Sequence, residues 1–501
     1  MESLPSILPP SLAYESPQRA VLSTRRTVSV KPTSGVNVTG ASSQDIIQFR
    51  LPNTGFLASC YLKGTIAHTG VTAGSDASNS FSASHASLDQ FAPGSSWIRR
   101  YVAKSSDGTE LTNINAYNRY TSIINRFKNT SEWSESVGSC MEHCPSESND
   151  DAVNVGFNSV AVAEGGSTAH AAGAIGVSQH RFGEVVKKRL GQTATSNDFV
   201  HEFLSGVLQG GQEQMLPLGL MGSGMTLELT CEDKDNVYRV LSKGAGDLLT
   251  GGAYDIHPAT GAGIVGYNLT GLELVCDLIF YPPDITSALS AKMCSEGLKI
   301  VCDNIRQQQN AVSQQNNTVI LNSHSRSVKS ILCGVKNSSD GGNARRDETE
   351  YYKNPGAGSA VQTIQFSVGS ELAPANPISF GANSHMELLK ALKPFVGEGF
   401  KYGNQVNSFG YNKTFLADTA GAGAGGAGAV SGSAIMGINL QSHPEMVDVL
   451  SGRSASAGSI PISVELQFDG STNLSNAVLE TFVISDQIVE ILGDGSALIS
   501  K

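Results

Sequence analysis

The chain has 501 residues, 40% of them hydrophobic and 16% charged, so it carries enough apolar material for sizeable cores and is not a disordered polymer. A formal net charge of -11 argues against a dominant nucleic-acid-binding surface. The 54 glycines, with abundant Ser, Asn and Thr, imply many turns, the usual accompaniment of short strands in sandwich architecture.

Residues 1–40 read as an extended arm, with Pro5, Pro9, Pro10, Pro17 and Pro32 among polar residues. Arg19, Arg25, Arg26 and Lys31 stand against Glu2 and Glu15, far short of the polybasic run that would neutralise phosphates. Met1-Glu-Ser-Leu-Pro5 lacks the basic start and apolar core of a signal peptide, and no apolar stretch is long enough for a membrane-spanning helix. Strands are expected at Asp45–Leu51, Ser59–Ile66 and Ser96–Ala103. A helix is expected over Asn113–Phe127, where Ile114, Tyr117, Thr121 and Ile124 recur at three- and four-residue steps. From about 128 to 197 the chain is Gly/Ser/Asn-rich and weakly patterned, a long loop suited to subunit contact or display.

Strict alternation returns at Met225–Cys231 and Leu272–Phe280, as in an antiparallel sheet with one buried face. Tyr281-Pro-Pro-Asp284 stops that strand, and Asp284 is placed to cap a short helix running towards Met293. Further strands are expected at Leu298–Cys302, Asn317–Leu321, Ser327–Cys333, Val361–Val368, Ser433–Leu440, Ile462–Phe468 and Val478–Leu492. Ser384 and Glu387 form a capping box before Leu388, Leu389 and Leu392, and Pro394 is expected to end that helix.

The two halves echo each other in order. Gly108-Thr-Glu-Leu111 and Gly369-Ser-Glu-Leu372 each lead towards a helix. Thr226-Leu-Glu-Leu229 is echoed by Ser463-Val-Glu-Leu466, and Leu272-Glu273 by Leu479-Glu480. Collinear matches with shrinking offsets describe an internal duplication whose second copy has shorter connections. The division expected is an arm at 1–40, a first sandwich at 41–284 carrying the loop 128–197, and a second sandwich with a C-terminal tail at 285–501.

An all-β chain of two tandem eight-stranded antiparallel jelly rolls, with short helices in the connections, resembles the double jelly-roll major capsid proteins of tailless double-stranded DNA viruses. The likeness is to the Polinton-like virus and virophage branch. It is carried by Leu51-Pro-Asn-Thr-Gly-Phe-Leu-Ala-Ser-Cys-Tyr-Leu-Lys63, Gly108–Tyr120, Leu272–Leu289 and Ser325–Leu332. The resemblance implies a homotrimer of pseudo-hexagonal outline whose neighbouring capsomers tile an icosahedral shell. Its other partners would be penton and cement proteins, its place the virion capsid assembled inside the host cell.

Catalytic, cofactor and metal candidates are set aside. The ten histidines never form His-x-His, as a metal-binding jelly-roll enzyme requires. Cys140-Met-Glu-His143-Cys144 has no second ligand pair nearby, and the remaining cysteines, Cys60, Cys231, Cys276, Cys294, Cys302 and Cys333, read mostly as small core residues. Ala420–Ala429 is glycine-rich but lacks the Gly-Lys-Ser/Thr ending of a phosphate loop. Glu232-Asp-Lys-Asp235 lacks calcium-loop spacing and reads as a solvated turn, and Arg345–Glu350 as an exposed mixed-charge loop. The competing reading is a receptor- or carbohydrate-binding fibre or spike, which wants aromatic platforms, yet Trp97 and Trp133 are the only tryptophans. A polysaccharide hydrolase would need a convergent carboxylate pair, and no motif supplies one.

Overall fold

Alternation of buried apolar and more exposed polar residues marks strands such as Thr226–Cys231 and Ile462–Phe468 of the computed structural model. It describes residues 22–42, 44–72, 86–88, 92–128, 196–209, 214–222, 224–240, 263–337, 361–379, 382–396, 435–442, 450–455, 461–468 and 477–500. In chain order the first half contains β1 (Thr24–Val30), β2 (Ile46–Arg50), β3 (Phe56–Thr72), β4 (Ala86–Ser87), β5 (Ile98–Lys104) and β6 (Glu110–Asn115). Helix α1 (Tyr117–Lys128) follows, then β7 (Ser196–Glu202), β8 (Thr226–Cys231), α2 (Lys234–Val237), β9 (Arg239–Val240) and β10 (Gly263–Phe280). Helix α3 (Pro283–Glu296) leads into β11 (Leu298–Ala311), β12 (Asn316–Leu321), β13 (Val328–Asn337), β14 (Val361–Val368) and β15 (Glu371–Ser379). After α4 (Ala382–Val396) come β16 (Ile435–Asn439), β17 (Ile462–Phe468), β18 (Ala477–Ile491) and β19 (Ala497–Ser500).

The first half forms two four-stranded antiparallel sheets, ordered β1-β10-β3-β7 and β2-β8-β5-β6. The second half forms β11-β18-β13-β16 and β12-β17-β14-β15, with β19 added beside β18. Leaving aside the small β4–β9 ribbon and β19, each half has eight strands. In both, one sheet runs first-eighth-third-sixth and the other second-seventh-fourth-fifth. In both, a helix stands between the fifth and sixth strands. Each half is a jelly roll of the same winding.

The sequence echoes fall on corresponding elements. Gly108 and Gly369 occupy the turns between fourth and fifth strands, both at positive φ (86° and 64°), which glycine adopts without a Cβ penalty. Thr226–Leu229 and Ser463–Leu466 lie in the seventh strands, β8 and β17, whose inward residues Leu227, Leu229, Cys231, Val464, Leu466 and Phe468 are buried.

Several boundaries differ from expectation. Residues 24–30, assigned to the arm, pair with β10 along their whole length as β1. The first helix begins at Tyr117, because Glu110–Asn115 pair with β5 and Ala116, at φ 52°, breaks the strand into the helix. Asp284 lies in the first turn of α3, where the positive helix end favours a carboxylate, while Pro282 is the cap and contributes no side-chain bond. Helix α4 starts at Ala382, ahead of the expected capping box, and passes Pro394 to end at Val396. A proline that late removes one N–H, and the helix closes within a turn. Cys140, His143, Cys144, Ala420–Ala429, Arg345–Glu350 and most of 128–197 lie outside the described residues.

The core is unequal between the halves. One apolar cluster fills the second roll from Val312 to Val483. The other fills the first roll and continues onto Ile300, Cys302, Ile305, Leu332, Leu388, Phe482, Ile484 and Val489 of the second. The sheet centred on β18 is therefore covered on both faces, by its own roll and by the neighbouring one. Strand β18 is buried almost continuously, which a one-sided strand is not.

Candidate assembly surfaces and the layer between the rolls

Charged residues inside apolar strands mark the layer between the rolls. Glu480 of β18 is fully buried, and Arg119 of α1 lies 2.9 Å from its Oε1 across the boundary between halves. Lys336 of β13 lies 3.4 Å from Oε2, and the Gln307 and Gln309 side-chain amides donate to Oε1 at 2.7 and 3.0 Å. One carboxylate thus answers two cations and two amides, the satisfaction a buried charge requires. Around it, Tyr120 of α1 packs on Phe482, and the Gln487 amide donates to the Leu111 carbonyl of β6.

A second cluster lies on the same sheet. Lys329 Nζ of β13 sits 3.1 Å from Asp303 Oδ1 of β11 and 3.3 Å from Asp486 Oδ1 of β18. Asp303 and Asp486 are cross-strand partners, and Ser327 Oγ donates to Asp486 Oδ2 at 2.6 Å. Sequence reading missed both clusters. The signal was there, as Glu480 and Asp486 interrupt Val478–Leu492 and Lys329 interrupts Ser327–Cys333.

The outer surface offers strand edges. β1 is exposed along most of its length and is held to β10 by ionic contacts. Arg25 and Thr27 donate to Asp277 at 2.5 and 2.6 Å, and Ser29 donates to Glu273 at 2.6 Å, with Lys63 2.8 Å from the same carboxylate. The Thr27 hydroxyl and then Arg25 hold the Asp277 carboxyl below its ordinary range; Lys63 and Ser29 do the same for Glu273. Edge strands β2 and β12 expose Ile46 and Ile320, and β15 exposes Leu372, apolar groups on open sheet edges. An open polar hollow of about 440 Å³ is lined by Glu371, Asn439, Gln441, Ser442 and Arg453, with Glu371 and Arg453 ion-paired.

Of the motifs set aside above, Glu232–Asp235 and six of the cysteines lie within the described residues. Glu232 is buried rather than solvated. Its carboxylate accepts from the Asn118 side chain at 3.1 Å and the Asp233 backbone N–H at 2.9 Å, so it ties α1 to the turn before α2. Cys60, Cys231, Cys276, Cys302 and Cys333 are buried free thiols, and Cys294 is exposed. Burial pushes Cys231 and Cys276 up to about 12, so neither is a thiolate nucleophile at neutral pH. Among the described residues no three His, Cys, Asp or Glu side chains are grouped to hold a metal ion, and no helix is long and apolar enough to cross a membrane.

Two jelly rolls of identical winding in one chain define the double jelly-roll fold. Solved structures share it along nearly the whole chain. A chain of the PBCV-1 virus capsid matches with TM-score 0.52 and 9% identity, covering 97% of this chain and 98% of that one. The Faustovirus major capsid protein matches with TM-score 0.52 and 10% identity over 95% and 92%. A chain of the Sputnik virophage matches with TM-score 0.52 and 12% identity over 100% and 93%. No protein-family model and no curated relative matches the sequence.

Proposed function

We propose that the protein is a major capsid protein, a structural unit of a viral shell without catalysis of its own. The observation that carries this reading is the paired winding: both rolls repeat one strand order and one helix position, and capsid chains match from end to end. On this reading three copies bring six jelly rolls around one axis, and the resulting pseudo-hexagonal units tile an icosahedral face. Neighbouring capsomers, penton and cement proteins are its partners and the virion capsid its location.

The units proposed are an N-terminal arm within 1–40, whose Thr24–Val30 joins the first sheet, a first roll to residue 284, and a second roll from 285 to 501. The charged layer at Glu480 ties one roll to the other within the chain, since Arg119 of the first reaches Glu480 of the second. Electron microscopy of the expressed full-length protein tests the assignment. Hexagonal particles or closed shells support it. Isolated single chains, joined by specific glycan retention on an array, would replace it with a receptor-binding role.

A further inference from the structure

The duplication gives the elements at the contact between rolls counterparts elsewhere in the chain. Strand β6 and helix α1 of the first roll lie against β11 and β18 of the second. By position in the winding, the counterparts of β6 and α1 are β15 and α4, and those of β11, β18 and β13 are β1, β10 and β3. These counterparts are open where the originals are closed. Leu111 of β6 is 0% exposed, whereas Leu372, its echo on β15, is 52% exposed. Glu480 of β18 meets Lys336 of β13 and Arg119 of the other roll, and its side chain is 0% exposed. Its echo Glu273 on β10 meets Lys63 of β3 at 2.8 Å, yet these two side chains are 24% and 45% exposed. Strands β1 and β15 are themselves exposed along most of their length. One charged strand pair is thus closed by a neighbouring roll, and its counterpart stands open.

We infer that the outer face of the β1-β10-β3-β7 sheet is the seat of a second copy of this chain, which lays β15 of its second roll along β1 and α4 across β10 and β3. The inference rests on the reading of the chain as a shell subunit and names the faces that join. The two surfaces are complementary in charge. On α4 the exposed residues Asn383, Met386, Lys390 and Lys393 recur at three- and four-residue steps and form one face. The sheet presents Asp198 and Glu202 of β7 on the same side as Glu273 and Asp277 of β10. Exposed Leu372 and Met386 add apolar area to bury. Each copy carries one surface of each kind, so the contact runs head to tail, the type that closes into rings when the rotation allows. It is more polar than the contact within the chain, where Leu332, Phe482 and Ile484 are buried. That suits a surface that stands in water until copies meet.

The test uses two full-length double variants. Leu372→Asp with Met386→Asp blocks the β15–α4 surface, and Asp198→Lys with Glu202→Lys blocks the sheet. All four residues are exposed, so the near-ultraviolet circular dichroism of each variant should match the wild type. Mass photometry, at a concentration where the wild type forms trimers, should show each variant alone at a single chain mass. Mixed in equal amounts, the two should form pairs of twice the chain mass and stop there, because each keeps the surface that the other lacks. That recovery also shows that both variants are folded. Wild-type trimers with both variants still trimeric would overturn the inference and leave the shell reading standing. So would natively folded variants that stay single when mixed. Wild-type protein that is single at every concentration would remove the shell reading and this inference with it.

Discussion

Substituting Glu480 by Gln preserves side-chain volume and removes a carboxylate that Arg119 and Lys336 share. Both cations are largely enclosed, with side-chain exposures of 13% and 12%, and Glu480 itself is at 0%. Water therefore cannot replace the lost charge. Breaking a buried pair from one side costs about 3–5 kcal/mol, and the Gln307 and Gln309 amides keep an acceptor only if the new amide turns its oxygen towards them. Glu480→Leu removes that acceptor as well, adding roughly 1–3 kcal/mol for each stranded donor. Denaturant unfolding of the unassembled chain, followed by fluorescence and circular dichroism, measures the loss. Because Arg119 comes from the first roll, a cycle with Arg119→Met should show coupling of about 1–3 kcal/mol. A Glu480→Gln variant within about 0.5 kcal/mol of the wild type would refute the reasoning, and so would an additive cycle.

Three further outcomes follow from the same structure. Asp277 has a depressed pKa in the fold, so its contribution is present above the ordinary carboxylate range and lost as pH falls through the folded value. Amide exchange in β1 should rise on acidification, and Asp277→Asn should show fast β1 exchange already at neutral pH. Among the six described cysteines, a thiol reagent should modify Cys294 in the native protein, while the five buried thiols react only on unfolding; rapid native labelling of Cys302 or Cys333 would contradict their placement. Gly108→Ala and Gly369→Ala each force a Cβ into positive φ and should destabilise by about 1–2 kcal/mol, read by thermal unfolding, although Gly108 meets no steric contact.

The legible and illegible parts of the fold separate on physical grounds. Strands β8 and β17 bury one face, and their alternation was plain in the sequence, as was the echo between them. Strand β1 was invisible because Thr24-Arg-Arg-Thr-Val-Ser-Val30 buries almost nothing and is held by side-chain bonds to Asp277 and Glu273 far along the chain. Ile114 suited the helical period but is a buried strand residue of β6, and only the reversed φ of Ala116 separates the two elements. The charged layer was hidden for a related reason. A Glu or Asp inside an apolar run reads as an exposed strand position unless the sheet is known to be covered on both sides. Here the continuous burial of β18 is a property of two rolls meeting, which no single segment encodes.

On the proposed function this chain is one third of a six-roll building block. Sedimentation or mass photometry of the purified full-length protein, across a range of concentrations, tests it most directly. The account predicts a dominant species of three times the 52.4 kDa chain mass, alone or as the repeating unit of larger closed particles. A single-chain mass that persists at every concentration would contradict it.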